Sequence, residues 1–232
     1  MKNLAVIPAR QGSKGIAHKN IKLLCGKPLI VYSIEAAKKS NMFDDIFVST
    51  DSEYYAEIAR EAGANVPFLR SVELSGDTAS SWDVAREAVR KYRERGMEFD
   101  TVALLQPTSP LRKPEDIIAG YNKFREMGAN LVVSVCEEHH SPLWSNTLPE
   151  DHSLANFIDH DLAKLPRQSL PKYYRINGAL YIVKTESLMK LDNLYSCKSY
   201  AYIMSKENSI DIDDNLDFVL TENIINTLRI QR

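Results

Sequence analysis

The sequence predicts an α/β fold in which helices flank a parallel sheet. Three observations carry that prediction. Short apolar runs alternate with stretches of helical periodicity, the runs end at turn residues, and the charged polar loops sit after the strands. The first run, Leu4 to Ile7, reads as a buried strand stopped by Pro8. Pro28 to Ser40 carries Leu29, Ile30, Ile34 and Ala37 at helical spacing, with Pro28 in the first turn. Asp45 to Thr50 is a second strand. Ser52 to Ala62 follows as a helix, with Ser52 or Asp51 as its cap and Gly63 as its stop.

Residues 70–81 are small and polar, hence a loop, and lead into a helix over Ser80 to Arg95. Its apolar face comprises Trp82, Val84, Ala85, Ala88, Val89 and Tyr92. Thr101 to Leu105 is a strand, Pro114 to Met127 a helix, and Asn130 to Cys136 a further strand. The pattern then breaks. Residues 137–174 hold Glu137-Glu-His-His140, four prolines and no period, which suggests an insertion with a task of its own. Strands return at Ala179 to Val183 and Tyr200 to Met204, and Asp214 to Leu228 closes the chain as a helix. The expected organisation is a core of residues 1–136 and 175–232, interrupted by 137–174.

Composition bounds the function. The 232 residues are 44% hydrophobic and 26% charged, with a net charge of −2, as expected for an ordinary globular chain. Such a balance offers no polycationic surface, so neither nucleic acid nor a membrane surface is an expected partner. Cys25, Cys136 and Cys197 are odd in number and lack metal-ligand spacing; reduced thiols are expected. No apolar run reaches spanning length, and Met1-Lys2-Asn3 leads directly into a strand, so the expected location is cytoplasmic. Adjacent His139 and His140 lack a third ligand and are not read as a metal site. Trp82 and Trp144 read as packing residues.

Four stretches carry chemistry. Arg10, Gly12, Ser13, Lys14, Gly15 and Lys19 follow the first strand. Glycines that allow close approach, free backbone N–H groups and cations suit a polyphosphate, although the spacing is neither a Walker A motif nor a dinucleotide fingerprint. In Ser209-Ile-Asp-Ile-Asp-Asp214, an extended backbone would put Asp211 and Asp213 on one face and turn Ile210 and Ile212 inward. Paired carboxylates of that kind suit Mg²⁺ beside substrate phosphates. Gln106 and Ser109 follow the Thr101 strand, where ligands of α/β sheets collect. Arg167 and Arg175 offer planar donors for an acid group.

Taken together, these stretches resemble the CMP-sialic acid synthetases, or acylneuraminate cytidylyltransferases, over nearly the whole chain. The matching motifs are Ile7-Pro-Ala-Arg-Gln-Gly-Ser-Lys-Gly15 with Lys19-Asn20, Val48-Ser-Thr-Asp51, Ser75-Gly-Asp-Thr-Ala-Ser-Ser81 and Leu105-Gln-Pro-Thr-Ser-Pro-Leu-Arg112. Pro166-Arg-Gln168, Asn177-Gly-Ala-Leu-Tyr181 and Ser209-Ile-Asp-Ile-Asp213 complete the series. The resemblance implies a Rossmann-like nucleotidyltransferase domain with a mostly parallel sheet. It implies transfer of CMP from CTP to the anomeric hydroxyl of a nine-carbon 2-keto sugar acid such as N-acetylneuraminate, or a legionaminate or pseudaminate relative. Arg10, Gly12, Ser13, Lys14 and Lys19 would hold the triphosphate, and Asn20, Arg70, Ala79 and Ser81 the cytidine side. Gln106, Arg167, Asn177 and Tyr181 would meet the sugar, with Leu143 or Trp144 as further readers of it. Asp211 and Asp213 would bind Mg²⁺, with Mn²⁺ as the substitute. Arg10, Lys19 and Asp211 are the implied catalytic residues, and 137–174 the contact of a homodimer that reaches toward the partner's site.

Rival readings are a cytidylyltransferase for the eight-carbon acid Kdo, a sugar-1-phosphate nucleotidyltransferase, and a non-catalytic nucleotide-binding regulator. Retention of Asp211, Asp213 and Lys19 together argues against the regulator.

Overall fold

Alternate side chains of the first strand face opposite ways, and both ways are apolar. In β1 (Asn3–Pro8), Ala5 and Ile7 enter one core while Leu4 and Val6 enter another. A strand buried on both faces must have helices on both faces, and that is the arrangement in this computed structural model, which describes residues 1–12, 15–190, 192–196 and 198–230. The remaining strands are β2 (Leu23–Leu24), β3 (Lys27–Pro28), β4 (Asp45–Ser49), β5 (Thr101–Leu104), β6 (Leu131–Glu137), β7 (Tyr174–Lys184) and β8 (Ser199–Ile203). Helices are α1 (Leu29–Ser40), α2 (Glu53–Glu61), α3 (Ser81–Arg93), α4 (Pro114–Glu126), α5 (Thr185–Lys190) and α6 (Asn215–Ile230). Strands β2 and β3 form a small separate ladder.

The main sheet runs β4-β1-β5-β7-β6-β8. Residues from α1, α2 and α4 cover one face, around Ile34, Ala56 and Tyr121. Residues from α3 and α5 cover the other, around Val89, Tyr92 and Leu188. α6 stands apart: Phe218 and Ile225 pack on Ile16, Leu24, Leu29 and Ile212, tying the end of the chain to the opening loop.

Helix boundaries follow local chemistry. Ser80 caps α3 by accepting a bond from the Asp83 N–H at 3.1 Å, so the helix begins one residue later than its sequence signal. Pro28 belongs to β3 and precedes α1 instead of opening it. Gly63 ends the α2 region with φ +88°, as a left-handed stop requires. The short α5 has no forecast in the periodicity.

The sheet is parallel in all pairs except those of β7, which runs antiparallel to both β5 and β6. The sheet is thus mostly parallel, as expected, with β7 its antiparallel exception. β7 is also longer than its apolar run, because Tyr174–Ile176 is paired but exposed, and alternation is lost there. Its reversed direction matters. Leu104, the last residue of β5, pairs with Tyr181, so residues 174–180 project past the carboxyl end of β5. Residues 138–173 contain neither strand nor α-helix; three 3₁₀ turns punctuate them, at Pro142–Trp144, Leu162–Lys164 and Arg167–Ser169. Among the described residues, no helix is long and apolar enough to cross a membrane.

Candidate active site

Four chain segments converge at the carboxyl ends of β1, β4 and β5. They enclose a cleft of about 460 Å³ that Arg10, Lys19, Arg70, Gln106, Asp211 and Asp213 help to line. Gly12, Asn20, Ala79 and Ser81 reach the same cleft. Ser13 and Lys14 lie outside the described residues, as does Cys197.

Leaving β1, the chain is held by Ala9 N–H donating to the Ser49 carbonyl at 2.8 Å and Gln11 N–H donating to Asp51 Oδ1 at 2.8 Å. The Asn20 amide then donates to the Arg10 carbonyl at 3.0 Å, which folds the loop back on itself. Asn20 is buried, so its role here is bracing as well as lining. Gly15 is required by crowding: a Cβ there would lie 2.5 Å from the Asp213 carbonyl oxygen. Gly15 and Gly12 are not among the positive-φ glycines, so conformational freedom is not what these two glycines supply. The opening loop and the aspartate segment therefore touch through backbone.

Among the described residues, Arg10 and Lys19 each have an acidic neighbour. Arg10 Nη2 sits 2.7 Å from Asp77 Oδ1, and Arg10 Nη1 donates to the Ser75 carbonyl at 3.4 Å. Lys19 Nζ donates to the Ile212 carbonyl at 2.7 Å and lies 3.8 Å from Asp213 Oδ1. These cations come from one end of the chain and one of the carboxylates from the other. Arg70 is buried, and its Nε and Nη2 donate to Ser49 Oγ (3.0 Å) and the Ser49 carbonyl (2.6 Å). Burial pushes the Arg70 guanidinium down to about 10, while Asp51 and Glu87 support its charge and Arg10 opposes it.

Asp211 and Asp213 differ in setting. Ile212 between them is fully buried, and its N–H donates to the Thr108 carbonyl at 2.8 Å. Ile210 is only partly buried, so the expected inward pair of isoleucines reduces to one. Asp213 is exposed; Asp211 is half-buried, and its Oδ1 has no hydrogen-bond partner among the described residues. Burial pushes the Asp211 carboxyl up and the Asp213 charge adds to this, whereas a Thr108 side-chain bond, Lys19 and Arg175 pull it down. A desolvated, unpartnered carboxylate oxygen at the cleft wall suits a hard divalent cation, which would reverse that direction. Among the described residues there is no group of three or more His, Cys, Asp or Glu side chains fit to cage a metal. The donor set fits Mg²⁺ only if substrate oxygens complete it.

The residues expected to meet a sugar are distributed unevenly. Gln106 lines the cleft. Asn177 is buried at 1% exposure, and its amide bonds Ser134 Oγ, Ser209 Oγ (2.8 Å) and the Ala179 N–H (3.2 Å). Tyr181 is partly buried, its ring 5.4 Å edge-on to Trp82, and burial pushes its phenol up to about 12. Neither residue lines the cleft. Arg167 lies in a separate groove with Glu137, Glu138 and Lys206, where it donates to the His139 carbonyl and bonds its Nδ1. Leu143 and Trp144 occupy a 3₁₀ turn outside the cleft, and Ser109 is buried behind it. The sequence reading quoted Asp77, Thr108 and Gly178 within its motifs but gave them no role. An acid within a small-residue loop was the available signal for Asp77, and the place of Gly178 beside the register shift of β6 and β7 had none.

The cytidylyltransferase family model matches residues 4–218. The N-acylneuraminate cytidylyltransferase of Escherichia coli O18:K1:H7 is 40% identical over 220 residues, covering 94% of this chain and 51% of that protein. The chain belongs to the CMP-sialic acid synthetase (acylneuraminate cytidylyltransferase) family. It spans about half the length of that Escherichia coli relative. The CMP-N,N'-diacetyllegionaminic acid synthase of Legionella pneumophila is 38% identical and is matched along 97% of both chains. In fold, this family member is similar to a CMP:2-keto-3-deoxy-manno-octonic acid synthetase solved with CTP. The TM-score is 0.74 at 16% identity, covering 98% of this chain and 99% of that one.

Proposed function

We propose that this chain transfers CMP from CTP to the anomeric hydroxyl of a nine-carbon 2-keto sugar acid and releases pyrophosphate. One observation carries the reading: a single cleft gathers Arg10 and Lys19 from the first loop with Asp211 and Asp213 from the far end of the chain. The relatives named for acylneuraminate and legionaminate chemistry support the acceptor class.

In the proposed reaction, the sugar oxygen bonds to the α-phosphorus as the bond from that phosphorus to the bridging oxygen breaks. The bond electrons leave with pyrophosphate. Arg10 and Lys19 face that growing negative charge, and their present carboxylate partners give way to phosphate oxygens. Gly12 and the α3 start at Ser81 offer backbone donors along the same wall. Asp211 accepts the hydroxyl proton. Mg²⁺, or Mn²⁺ in its place, held by Asp211 and Asp213 would polarise the phosphate and neutralise charge. Arg70, Asn20 and Ala79 form the cytidine side in this reading, and Gln106 the acceptor side.

The separation of Arg167 from the cleft suits a homodimer in which 137–174 of one protomer reaches the other's site. Residues Leu148 and Leu154 in that segment are exposed. A solution mass measurement that found only monomer at working concentration would remove this arrangement.

The test of function is pyrophosphate release with CTP and Mg²⁺, offering N-acetylneuraminate, legionaminate, pseudaminate and Kdo in parallel. Turnover is expected with a nine-carbon acid at the highest kcat/KM. Preference for Kdo, or no turnover with any acid, would overturn the acceptor class or the activity respectively.

A further inference from the structure

Arg112 is a buried charge for which the proposed reaction has no use. It is 3% exposed and follows the turn that carries Gln106 out of β5. Among the described residues it makes no salt bridge. Its Nη1 donates to the carbonyls of Gln106 (3.2 Å) and Ala179 (2.6 Å), and its Nη2 donates to Ser33 Oγ on α1 at 2.5 Å. Ser33 Oγ in turn donates to the Gln106 carbonyl at 3.2 Å. Nε lacks a partner among the described residues. A desolvated cation with an orphan donor is costly, so an apolar side chain of similar size would serve a merely structural position as well or better.

What the three contacts join is informative. Ala179 follows Gly178, whose φ is +73° and whose added Cβ would meet Gln106 Oε1 and, at 3.4 Å, Asp211 Oδ2. The Gln106 side chain, the Gly178 backbone and the Asp211 carboxylate thus abut with no room to spare. Behind that junction, the Arg112 fork holds the backbone on both sides of it, at Gln106 and at Ala179. Both carbonyls take the two N–H bonds of one nitrogen, Nη1, while Nη2 on Ser33 fixes the plane of the guanidinium, an orientation that a flexible ammonium cannot keep.

We propose that Arg112 is a positioning residue for the acceptor half of the cleft, setting Gln106 and Asp211 against each other by clamping β5's outgoing turn to β7. The proposal rests on the reading of Gln106 and Asp211 as acceptor-side groups. Arg10, Lys19, Asn20 and Arg70 hang from other segments and are not held by this clamp.

The deciding variants are Arg112→Lys, which keeps charge without the fork, Arg112→Met, which keeps bulk alone, and Ser33→Ala, which removes one contact. With Arg112→Lys, KM for CTP should stay within about two-fold while kcat/KM for the acid falls at least about ten-fold, following the loss of oriented geometry. Ser33→Ala should move the same parameters in the same direction by less. Hydrogen–deuterium exchange on the free protein should rise at 106–109 and 177–180 and stay unchanged at 9–20 and 70–81. Equal losses for both substrates with uniformly faster exchange would make Arg112 a fold staple and overturn the proposal, as would kinetics and exchange like the parent. If Arg112→Met does not fold, the Lys and Ser33 variants decide. Absence of turnover by the parent chain would refute the activity, and the exchange pattern would still judge the clamp.

Discussion

In the proposed reading, the nucleotide-facing and acceptor-facing halves of the cleft draw on different materials. On the nucleotide side, contiguous loops supply the groups: 9–20 after β1 and 70–81 before α3. Two of their cations, Arg10 and Lys19, are partly exposed and lean on carboxylates that phosphate can replace, Asp77 and Asp213, while Arg70 is buried against Ser49. On the acceptor side, the groups are carried by the turn after β5, by β7, the one reversed strand, and by the segment after β8. Asn177 is buried and fully bonded, and Arg112 clamps from behind. The first half is built to exchange partners. The second is built to hold a shape, which is where differences in the acid would have to be read.

Mutations should expose that difference. The largest effect is expected where the halves meet. Asp211→Ala should lower kcat by about a thousand-fold, the scale of a lost general base, and shift the Mg²⁺ concentration needed for residual turnover. The measurement is steady-state pyrophosphate release over a Mg²⁺ series. Unchanged kcat would remove Asp211 from the reaction. A smaller but still large effect is expected of Gly15→Ala. Its Cβ would push against the Asp213 backbone, so the loop and the aspartate segment must separate. Displacement on the ångström scale can cost about 100-fold. The loss should appear in kcat with either substrate saturating, and a loss confined to KM for CTP would contradict it.

Asn177→Ala tests the rigid half by stability. Removing the amide takes one hydrogen bond from each of the Ser134 and Ser209 hydroxyls and the acceptor from the Ala179 N–H in the interior, a cost of about 2 kcal/mol. Denaturant unfolding should show that loss, with the acceptor KM rising because Ser209 anchors the segment that leads to Asp211. If stability were unchanged while the acceptor KM rose, Asn177 would instead touch the sugar.

How much of this was legible beforehand follows the same division. The loop 9–20 and the aspartates Asp211 and Asp213 stand out as charge and glycine in local runs, which sequence displays directly. The direction of β7 does not, because Ala179–Val183 reads identically in either orientation and only pairing settles it. Tyr174–Ile176 escaped because pairing at an exposed sheet end needs no apolar alternation. Asn177 and Arg167 share motif-like surroundings, yet one is packed into the core and the other lies in a different groove. Burial of a polar residue depends on partners distant in sequence, here Ser134 and Ser209, and no local pattern encodes them.

The smallest predicted effect bears on the exchangeable half. Asp77 holds Arg10 at 2.7 Å with both side chains substantially exposed, so the pair is worth about 0.5 kcal/mol at most ordinary surface sites. Asp77→Asn keeps the shape and removes the charge that a triphosphate must displace. KM for CTP should fall about two-fold at low salt, and the gain should shrink as ionic strength rises and screens the pair. Acceptor KM should not move, since Asp77 lies in the 70–81 loop and outside the β7 clamp. A rise in KM for CTP would show the opposite arrangement, in which Asp77 aims Arg10 at phosphate instead of competing for it, and the nucleotide half would then be as preformed as the acceptor half.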